Sequence, residues 1–234
     1  MSASLQRQEL ELSVAVGPQL HRLLRDRIIR GELSPGTRVS ETEFAAAYQV
    51  SRQPVREAFI KLAEENLVMV RPQRGTFVTR ISVPAVMTAR FIREAVEADI
   101  VRRVAETANA TQIAALDAQI EEQRAVSESA EPSVFMRLDE DFHRMLAHFA
   151  GDDAVWDYLE GLKIQMNRVR HISTRQFALG KLVAQHASVV DAIRSGEPAR
   201  AEEGMRLHLR EIIHDLPDIV EAMPDYFEQV EAIR

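Results

Sequence analysis

The chain has 234 residues, of which 46% are hydrophobic, so it can form one large domain or two modest domains with real cores. It contains no cysteine, which excludes disulfides and thiolate metal sites. No apolar run is long enough to span a membrane, and residues 1–16 are too charged for a signal peptide, so we expect a cytoplasmic protein with no membrane partner.

The net charge of −7 is divided unevenly along the chain. Residues 1–80 carry 12 Lys and Arg against 9 Asp and Glu, whereas residues 81–234 carry 17 against 27. A basic module beside an acidic one permits local attraction to nucleic-acid phosphates although the whole chain is anionic. We predict two domains with these bounds, 1–80 and 81–234.

The first two predicted helices are joined by a turn. Apolar residues at helical spacing over residues 18–30 predict the first helix, and Gly31 stands where a left-handed C-terminal cap is typical. The capping-box pair Ser40 and Glu43 predicts the start of the second helix, which we expect to end near Tyr48.

The next segment is typical of a helix that reads DNA. Ser51 is a residue type that caps helix N-termini, and Pro54 falls in the first turn, where a backbone N–H is not needed. Arg52 and Arg56 are four residues apart, so both guanidiniums project from one face. We expect this third helix to run to about Glu65.

A β-hairpin is predicted after the third helix, with strands over residues 68–70 and 76–78 and a turn that contains Arg74 and Gly75. Helix, helix, turn, helix and hairpin is the order of a winged helix-turn-helix. In that fold the third helix enters the major groove and the hairpin tip lies beside a phosphate or the minor groove. A solvated helix face is the alternative for the arginines of the third helix, but the surrounding elements favour DNA contact.

Residues beyond 83 predict an all-helical second domain with no strand. Glycines and prolines separate amphipathic stretches whose helical faces are regular. These stretches lie near residues 85–107, 110–128, 133–149, 153–172, 176–195, 198–214 and 217–232.

Four polar residues are predicted on the inward faces of these helices. Asp139 and His143 lie beside one apolar stripe, and His186 and His208 align with the apolar positions of two later helices. Burying a carboxylate with three imidazoles is costly unless something pairs them, and a divalent metal would. This donor set suits Zn²⁺ first, and also Ni²⁺, Mn²⁺ or Fe²⁺. Hydrogen-bonded core histidines are the alternative.

The N-terminal module resembles the GntR family of bacterial transcription regulators. The residues that carry the resemblance are Glu41, 44–45, 50–59, Leu62, 67–68 and 74–78. The helical remainder looks like the FCD effector domain of the FadR-type subfamily, in its six- or seven-helix form. Thr42 departs from the pattern, because some members have arginine there. The resemblance implies DNA contacts at Arg52, Arg56, Arg74 and Gly75, with Ser51 and Gln53 near the backbone or bases.

The resemblance also bears on the second domain. Metal-containing FCD domains use an Asp-x-x-x-His pair and single histidines from two later helices, which matches the four inward residues in order and kind. The family often has an effector-binding arginine in an Arg-x-x-x-Glu pattern, here Arg93 to Glu97, although a purely structural pair remains equally open. Asn167 is a further candidate pocket residue.

These observations predict a homodimeric, sequence-specific DNA-binding transcription regulator and not an enzyme. We expect it to read a palindromic operator in double-stranded DNA, under the control of a small carboxylate or hydroxy acid bound at the metal site. One alternative is a metal-responsive regulator without an organic effector. Another is a metal-dependent hydrolase or lyase, which leaves the winged helix unexplained.

Overall fold

The computed structural model describes residues 10–11, 13–129, 131–176 and 179–233, without the side chains of residues 175, 176, 232 and 233. Over these ranges the chain forms ten α-helices and five short strands. The helices are α1 (Val16–Ile29), α2 (Glu41–Tyr48), α3 (Arg52–Glu64), α4 (Val83–Thr107), α5 (Ala110–Ser129), α6 (Pro132–Phe149), α7 (Asp153–Leu162), α8 (Ile164–Gln176), α9 (Leu179–Arg194) and α10 (Pro198–Ala222). The strands are β1 (Arg38–Val39), β2 (Val68–Arg71), β3 (Gly75–Val78), β4 (Ile81–Ser82) and β5 (Phe227–Glu228).

The N-terminal part is a winged helix-turn-helix, as predicted. Helices α1 to α3 pack on an antiparallel sheet of strand order β1, β3, β2. Strand β1 was not predicted, because two residues are too short to show an alternating pattern. The core of the winged helix-turn-helix is formed by apolar side chains that include Leu20, Leu24, Val55, Leu62, Leu67 and Val78.

The two predicted N-caps differ in the structure. The Ser40 hydroxyl accepts a hydrogen bond from the Glu43 backbone N–H at 3.5 Å, so the predicted cap of α2 is confirmed. Ser51 occupies the N-cap position of α3 with extended backbone, but its hydroxyl makes no capping hydrogen bond. The prediction that this hydroxyl caps the helix was wrong, although the helix begins where it was expected.

The C-terminal part is a helical bundle, as predicted, and α4 to α10 supply seven α-helices in the described ranges. Helix α4 packs against α10, and α5 packs against α6 and α9. The predicted single helix over 153–172 was wrong, because the chain breaks at Lys163 between α7 and α8.

The predicted break before residue 217 was also wrong. Helix α10 continues through Pro217 to Ala222, although proline removes one helical hydrogen bond. Leu216 and Ile219 on either side are buried in the core against α4 and α8. The burial of Leu216 and Ile219 offsets the local cost of the proline. The prediction considered only local sequence and did not include this burial.

The prediction of no strand beyond residue 83 was wrong. Strand β5 pairs in parallel with β4, so Phe227 lies opposite Ile81 and both are buried. Beyond α10 the remaining described residues form two short 3₁₀ turns and this strand instead of the predicted helix. Across the described helices, none combines the length and apolar character needed to cross a bilayer.

Helix α8 belongs to both parts of the molecule. Ile164 at its start packs into the core of the winged helix. One turn later the buried Arg168 donates two hydrogen bonds to Thr79, one to the backbone oxygen at 2.7 Å and one to Oγ1 at 3.3 Å. The end of the wing is therefore tied directly to the helical bundle.

Candidate metal centre and nucleic-acid interface

The four inward polar residues meet in the centre of the bundle. Asp139 and His143 project from α6, His186 from α9 and His208 from α10. All four are buried, and one ligand atom from each lies within 4.8 Å of the others. These four residues thus form one cluster, although they come from three helices and Asp139 and His208 are 69 positions apart in sequence.

The atoms that face one another are the Nε2 atoms of the imidazoles and the Asp139 carboxylate. His208 Nε2 lies 3.2 Å from His143 Nε2 and 3.1 Å from His186 Nε2. The Asp139 oxygens lie 3.9 Å from His143 Nε2 and 3.7 Å from His186 Nε2. Asp139 Oδ1 is buried and has no hydrogen-bond partner among the described residues.

Each histidine also places its Nδ1 atom close to a side-chain oxygen. The pairs are His143 Nδ1 with Glu97 Oε2 at 2.7 Å, His186 Nδ1 with Gln123 Oε1 at 2.7 Å, and His208 Nδ1 with Gln185 Oε1 at 3.1 Å. An acceptor at Nδ1 keeps the proton there and leaves the Nε2 lone pair free. The Nε2 lone pairs of His186 and His208 are therefore free to bind a cation, whereas His143 Nδ1 lies close to Glu97 but makes no hydrogen bond among the described residues.

The orientations of the two glutamine amides are defined by their second contacts. Gln123 Nε2 faces the Leu138 backbone oxygen at 3.5 Å, and Gln185 Nε2 donates to Glu211 Oε2 at 2.8 Å. Because each amide nitrogen is engaged elsewhere, each amide oxygen must face its histidine. The assignment of the proton to Nδ1 follows from these contacts.

The pKa shifts of His186, His208 and Asp139 favour two neutral imidazoles and one carboxylate anion at neutral pH. Burial lowers the pKa of His186 to about 3 and holds the pKa of His208 well below its usual range. Burial would raise the pKa of Asp139, but the Arg170 guanidinium outweighs it, so this pKa is well below its usual value.

This donor set fits a divalent cation. Neutral imidazole nitrogens and one ionised carboxylate are the forms that bind Zn²⁺, Ni²⁺, Mn²⁺ or Fe²⁺. A cation would also satisfy the orphaned Asp139 Oδ1 and the mutually facing lone pairs of the imidazoles. The same donors fit all four metals, so they do not select one.

Several residues around the cluster were not predicted. Arg170 on α8 donates to Asp139 Oδ2 and to Glu140 Oε1, the latter at 3.1 Å. Gln123 and Gln185 hold two of the histidines. The sequence signal that could have identified Gln123 is a glutamine on the buried face of a helix, where an amide requires a hydrogen-bond partner; Gln123 is completely buried.

Arg93 reaches the same region from α4. Its side chain is buried and pairs with Glu97, with Nε to Oε1 at 2.5 Å and Nη2 to Oε2 at 3.2 Å. Its Nη1 is buried without a hydrogen-bond partner among the described residues. Arg93, Arg170 and His208 also line a cavity of about 40 Å³. Arg93 is therefore paired with Glu97 and also lines the cavity, and its predicted contact with an effector stays a prediction.

Asn167 does not line that cavity. It lies on α8 and lines a different cavity of about 200 Å³ between α1 and α6 to α8. Its neighbour Met166 lines the small cavity at His208 instead. The structure therefore separates Asn167 from the predicted metal residues and from Arg93.

The predicted DNA contacts are on the surface of the winged helix. Arg52, Gln53 and Arg56 are exposed in the first turns of α3. Arg52 Nη2 lies 3.5 Å from Glu41 Oε2, and Gln53 donates to Glu57 Oε1 at 3.0 Å. Arg56 makes no ion pair with any described side chain, so its guanidinium is free to contact a ligand.

The wing carries the predicted contacts Arg74 and Gly75, and next to them lies Arg38, which was not among the predicted DNA contacts. Arg74 is exposed at the hairpin tip, and Gly75 has a φ of +105°, which favours glycine. A Cβ atom at Gly75 would lie 2.9 Å from Arg38 Nε, because β1 pairs with β3. Arg38 is therefore held against the wing beside Arg74.

Comparisons with known proteins agree with this architecture. The family model described as bacterial regulatory proteins, gntR family, matches residues 18–78, and the FCD domain model matches residues 89–211. The chain is 36% identical to the HTH-type transcriptional repressor RspR of Escherichia coli (strain K12), over 94% of this chain and 97% of RspR. It is 28% identical to the HTH-type transcriptional repressor NanR of Klebsiella aerogenes, over 89% and 88% of the two chains.

Solved structures are similar over most of the chain. A GntR transcriptional regulator from Rhodococcus sp. RHA1 is 27% identical with a TM-score of 0.70, over 89% of this chain and 99% of that one. E. coli McbR/YncC has a TM-score of 0.72 at 17% identity over the same shares, a likeness that concerns the fold alone. The chain belongs to the gntR family of bacterial regulatory proteins, which are DNA-binding transcription regulators, and it carries an FCD domain.

Proposed function

We propose that this protein is a homodimeric transcription repressor whose two winged helices read the halves of a palindromic operator. The relatives RspR and NanR are named as repressors, which supports this direction of regulation. We divide the chain into a DNA-binding unit, 1–80, and a regulatory unit, 81–234. Strand β4 supports this boundary, because it begins at residue 81 and pairs with β5 at the other end of the regulatory unit.

The regulatory unit is proposed to hold a divalent metal with Asp139, His143, His186 and His208. The observation that carries this proposal is the convergence of three imidazole Nε2 atoms on one carboxylate, while the Nδ1 atoms of His186 and His208 face amide oxygens. Bound there, the metal would supply Lewis-acid attraction for an oxygen ligand. Zinc is the first choice and nickel, manganese or iron are the others.

The effector is proposed to be a small carboxylate or hydroxy acid. The cavity of about 40 Å³ beside His208 has room for a group the size of a carboxylate. Arg93 and Arg170 line it, and guanidiniums bind carboxylates through paired hydrogen bonds. An effector must bind the DNA-competent and incompetent dimers with different affinities, because equal affinity would shift nothing.

For DNA, the proposed test is Arg56→Ala in an operator-binding titration. If Arg56 contacts a base edge, the loss should be about 1–3 kcal/mol and preference should relax at one operator position. Arg200→Ala, which removes an exposed arginine of α10, is the control and should bind as the wild type does. A loss that is the same for every sequence would instead assign Arg56 to a phosphate.

For the metal, the proposed test is elemental analysis of the purified wild type and of His186→Ala. The wild type should carry about one metal ion per chain, and the variant should carry less. His148→Ala is the matched control, because His148 lies exposed on α6. Unchanged metal content in His186→Ala would remove His186 from the site.

The two alternatives are tested by measuring operator affinity and product formation side by side. Operator affinity should respond to one member of a panel of small carboxylates and hydroxy acids at constant free metal. If it follows free metal and ignores every acid, the protein is a metal sensor. Metal-dependent accumulation of a product from any of these acids would favour a hydrolase or lyase.

A further inference from the structure

A second cavity, of about 200 Å³, lies between the DNA-binding and regulatory parts of the molecule. Arg25 of α1 and Arg30, which follows that helix, line it from the DNA-binding side. Arg137 and Arg144 of α6 and Lys163 line it from the regulatory side. Neither the proposed metal site nor the predicted DNA contacts use this cavity.

The lining carries an excess of positive charge. Its five cationic side chains are opposed by three lining carboxylates, Asp26, Glu140 and Glu160, and Arg25 is also paired at 2.8 Å with Glu65, which lies outside the lining. Arg144 is paired with Glu160 at 2.8 Å, but Arg137 makes no ion pair with any described side chain. With Glu65 counted, an excess of about one positive charge remains, which attracts a phosphate monoester that carries a charge of about −1.5 to −2 at neutral pH.

Two further features indicate a formed site. Lys163 is only 2% exposed, and its ammonium is held by Glu140 and lies 3.6 Å from the Trp156 ring centroid. Asn167 has a buried Oδ1 atom without a hydrogen-bond partner among the described residues. A buried acceptor of this kind is satisfied by a hydroxyl donor.

We propose that this cavity binds a small phosphate ester that also carries hydroxyl groups. The phosphate is held by arginine side chains from both parts of the molecule, and a hydroxyl donates to Asn167. The ligand thereby bridges α1 and α6 to α8 and stabilises their docked arrangement. This site is separate from the proposed organic-acid site at the metal.

The cavity is connected to the proposed metal centre by alternating charges. Lys163 pairs with Glu140, Glu140 Oε1 accepts from Arg170 at 3.1 Å, and Arg170 also donates to Asp139. A phosphate that attracts Lys163 weakens the hold of that lysine on Glu140. The change reaches Asp139 through Arg170, so the two sites are expected to influence each other.

The test is calorimetric titration of the full-length, chelator-treated protein with glycerol 3-phosphate, inorganic phosphate and glycerol at constant ionic strength. Glycerol 3-phosphate should bind most tightly, inorganic phosphate more weakly and glycerol not at all. Arg137→Gln should raise the Kd of both phosphate compounds about tenfold. Asn167→Leu should raise the Kd of glycerol 3-phosphate and leave that of inorganic phosphate unchanged.

Two matched variants complete the test. Arg124→Gln removes an exposed arginine of α5 outside the cavity and should bind glycerol 3-phosphate as the wild type does. His186→Ala removes a proposed metal ligand and should still bind glycerol 3-phosphate saturably, with a change in Kd well below that of Arg137→Gln. The proposal is overturned if neither phosphate compound binds saturably or if Arg137→Gln binds like the wild type. Complete loss of saturable binding in His186→Ala would place the anion at the proposed metal centre and also overturn it.

Discussion

Single side chains decide the chemical form of the histidine cluster. A histidine presents a lone pair from one ring nitrogen only when the other carries the proton, and a nearby acceptor selects which nitrogen that is. Gln123 is the acceptor for His186, at 2.7 Å from its Nδ1. Gln123 is not a member of the cluster, so its effect can be measured without removing a ligand.

Gln123→Leu should therefore lower metal affinity by about 10- to 100-fold while all four proposed ligands remain. The measurement is a competition titration with a chromophoric chelator at fixed pH. Gln112→Leu, in the first turn of the same helix, is the control: it removes the hydrogen bond to the Asn109 backbone N–H and should leave metal affinity unchanged. Equal affinities for wild type and Gln123→Leu would refute this role.

The buried histidines also predict a pH dependence of stability. The His186 pKa is lowered to about 3 in the native protein by burial, whereas an unfolded histidine has a pKa of about 6.5. Between these values the unfolded chain binds a proton that the native protein does not. The contribution of neutral His186 to the free energy of unfolding is therefore fully present above about pH 6.5. It decreases as the pH falls below that value, by about 1.4 kcal/mol per pH unit for one histidine.

Urea unfolding of the chelator-treated protein between pH 7 and 5 checks this prediction. His186→Gln should give a shallower loss of unfolding free energy, although burial of His208 maintains part of the slope. His148→Gln, at an exposed position on α6, should keep the wild-type slope. The prediction fails if His186→Gln and the wild type have the same slope.

At the scale of elements, α8 is the connection between the two parts of the molecule. Its first residue, Ile164, lies in the winged-helix core, Arg168 binds the end of the wing, and Arg170 binds Asp139. Burial lowers the pKa of Arg168 to about 10, so the guanidinium remains charged at neutral pH. We therefore expect a displacement at the proposed metal centre to reach the DNA-binding part through one rigid element.

Arg168→Met should weaken this connection. It removes both hydrogen bonds to Thr79 and leaves the Thr79 backbone oxygen without this donor, at a cost of about 1–3 kcal/mol. Amide exchange in residues 79–82 should accelerate about tenfold for each 1.4 kcal/mol lost. Arg102→Met, on the exposed face of α4, should leave this exchange unchanged. Unaltered protection in Arg168→Met would show that the wing is held by other contacts.

At the scale of the whole molecule, the proposed dimer imposes a geometry on the operator. Two α3 helices joined through the regulatory units can read two half-sites only at one separation and rotation. Inserting about five base pairs between the half-sites turns one of them to the opposite face of the duplex. Operator affinity should then fall to that of a single half-site.

The measurement is a titration of labelled duplexes that differ only in this spacer, at one stated salt concentration. A duplex with one half-site replaced by unrelated sequence provides the reference affinity. Wild-type affinity for the lengthened operator would mean that the two winged helices move independently, which contradicts control through a rigid regulatory unit.

Local patterns were sufficient to predict the winged helix and the helical bundle. The Ser40 cap, the spacing of apolar residues and the turn at Gly75 are determined by neighbours within a few positions. The inward positions of Asp139, His143, His186 and His208 also follow from helical periodicity, because each residue shares a face with apolar neighbours. Periodicity did not show that these helical faces meet one another. That prediction rested on the residue types, one aspartate and three histidines.

Contacts between distant segments required the tertiary structure. The pairing of β5 with β4 joins residues about 146 positions apart, and the continuation of α10 through Pro217 depends on the core around Leu216 and Ile219. The amide acceptors behind His186 and His208 and the contact of Arg170 with Asp139 also come from separate helices. Periodicity determines which side of an element is buried, but the partner that it meets is decided by packing of the whole chain.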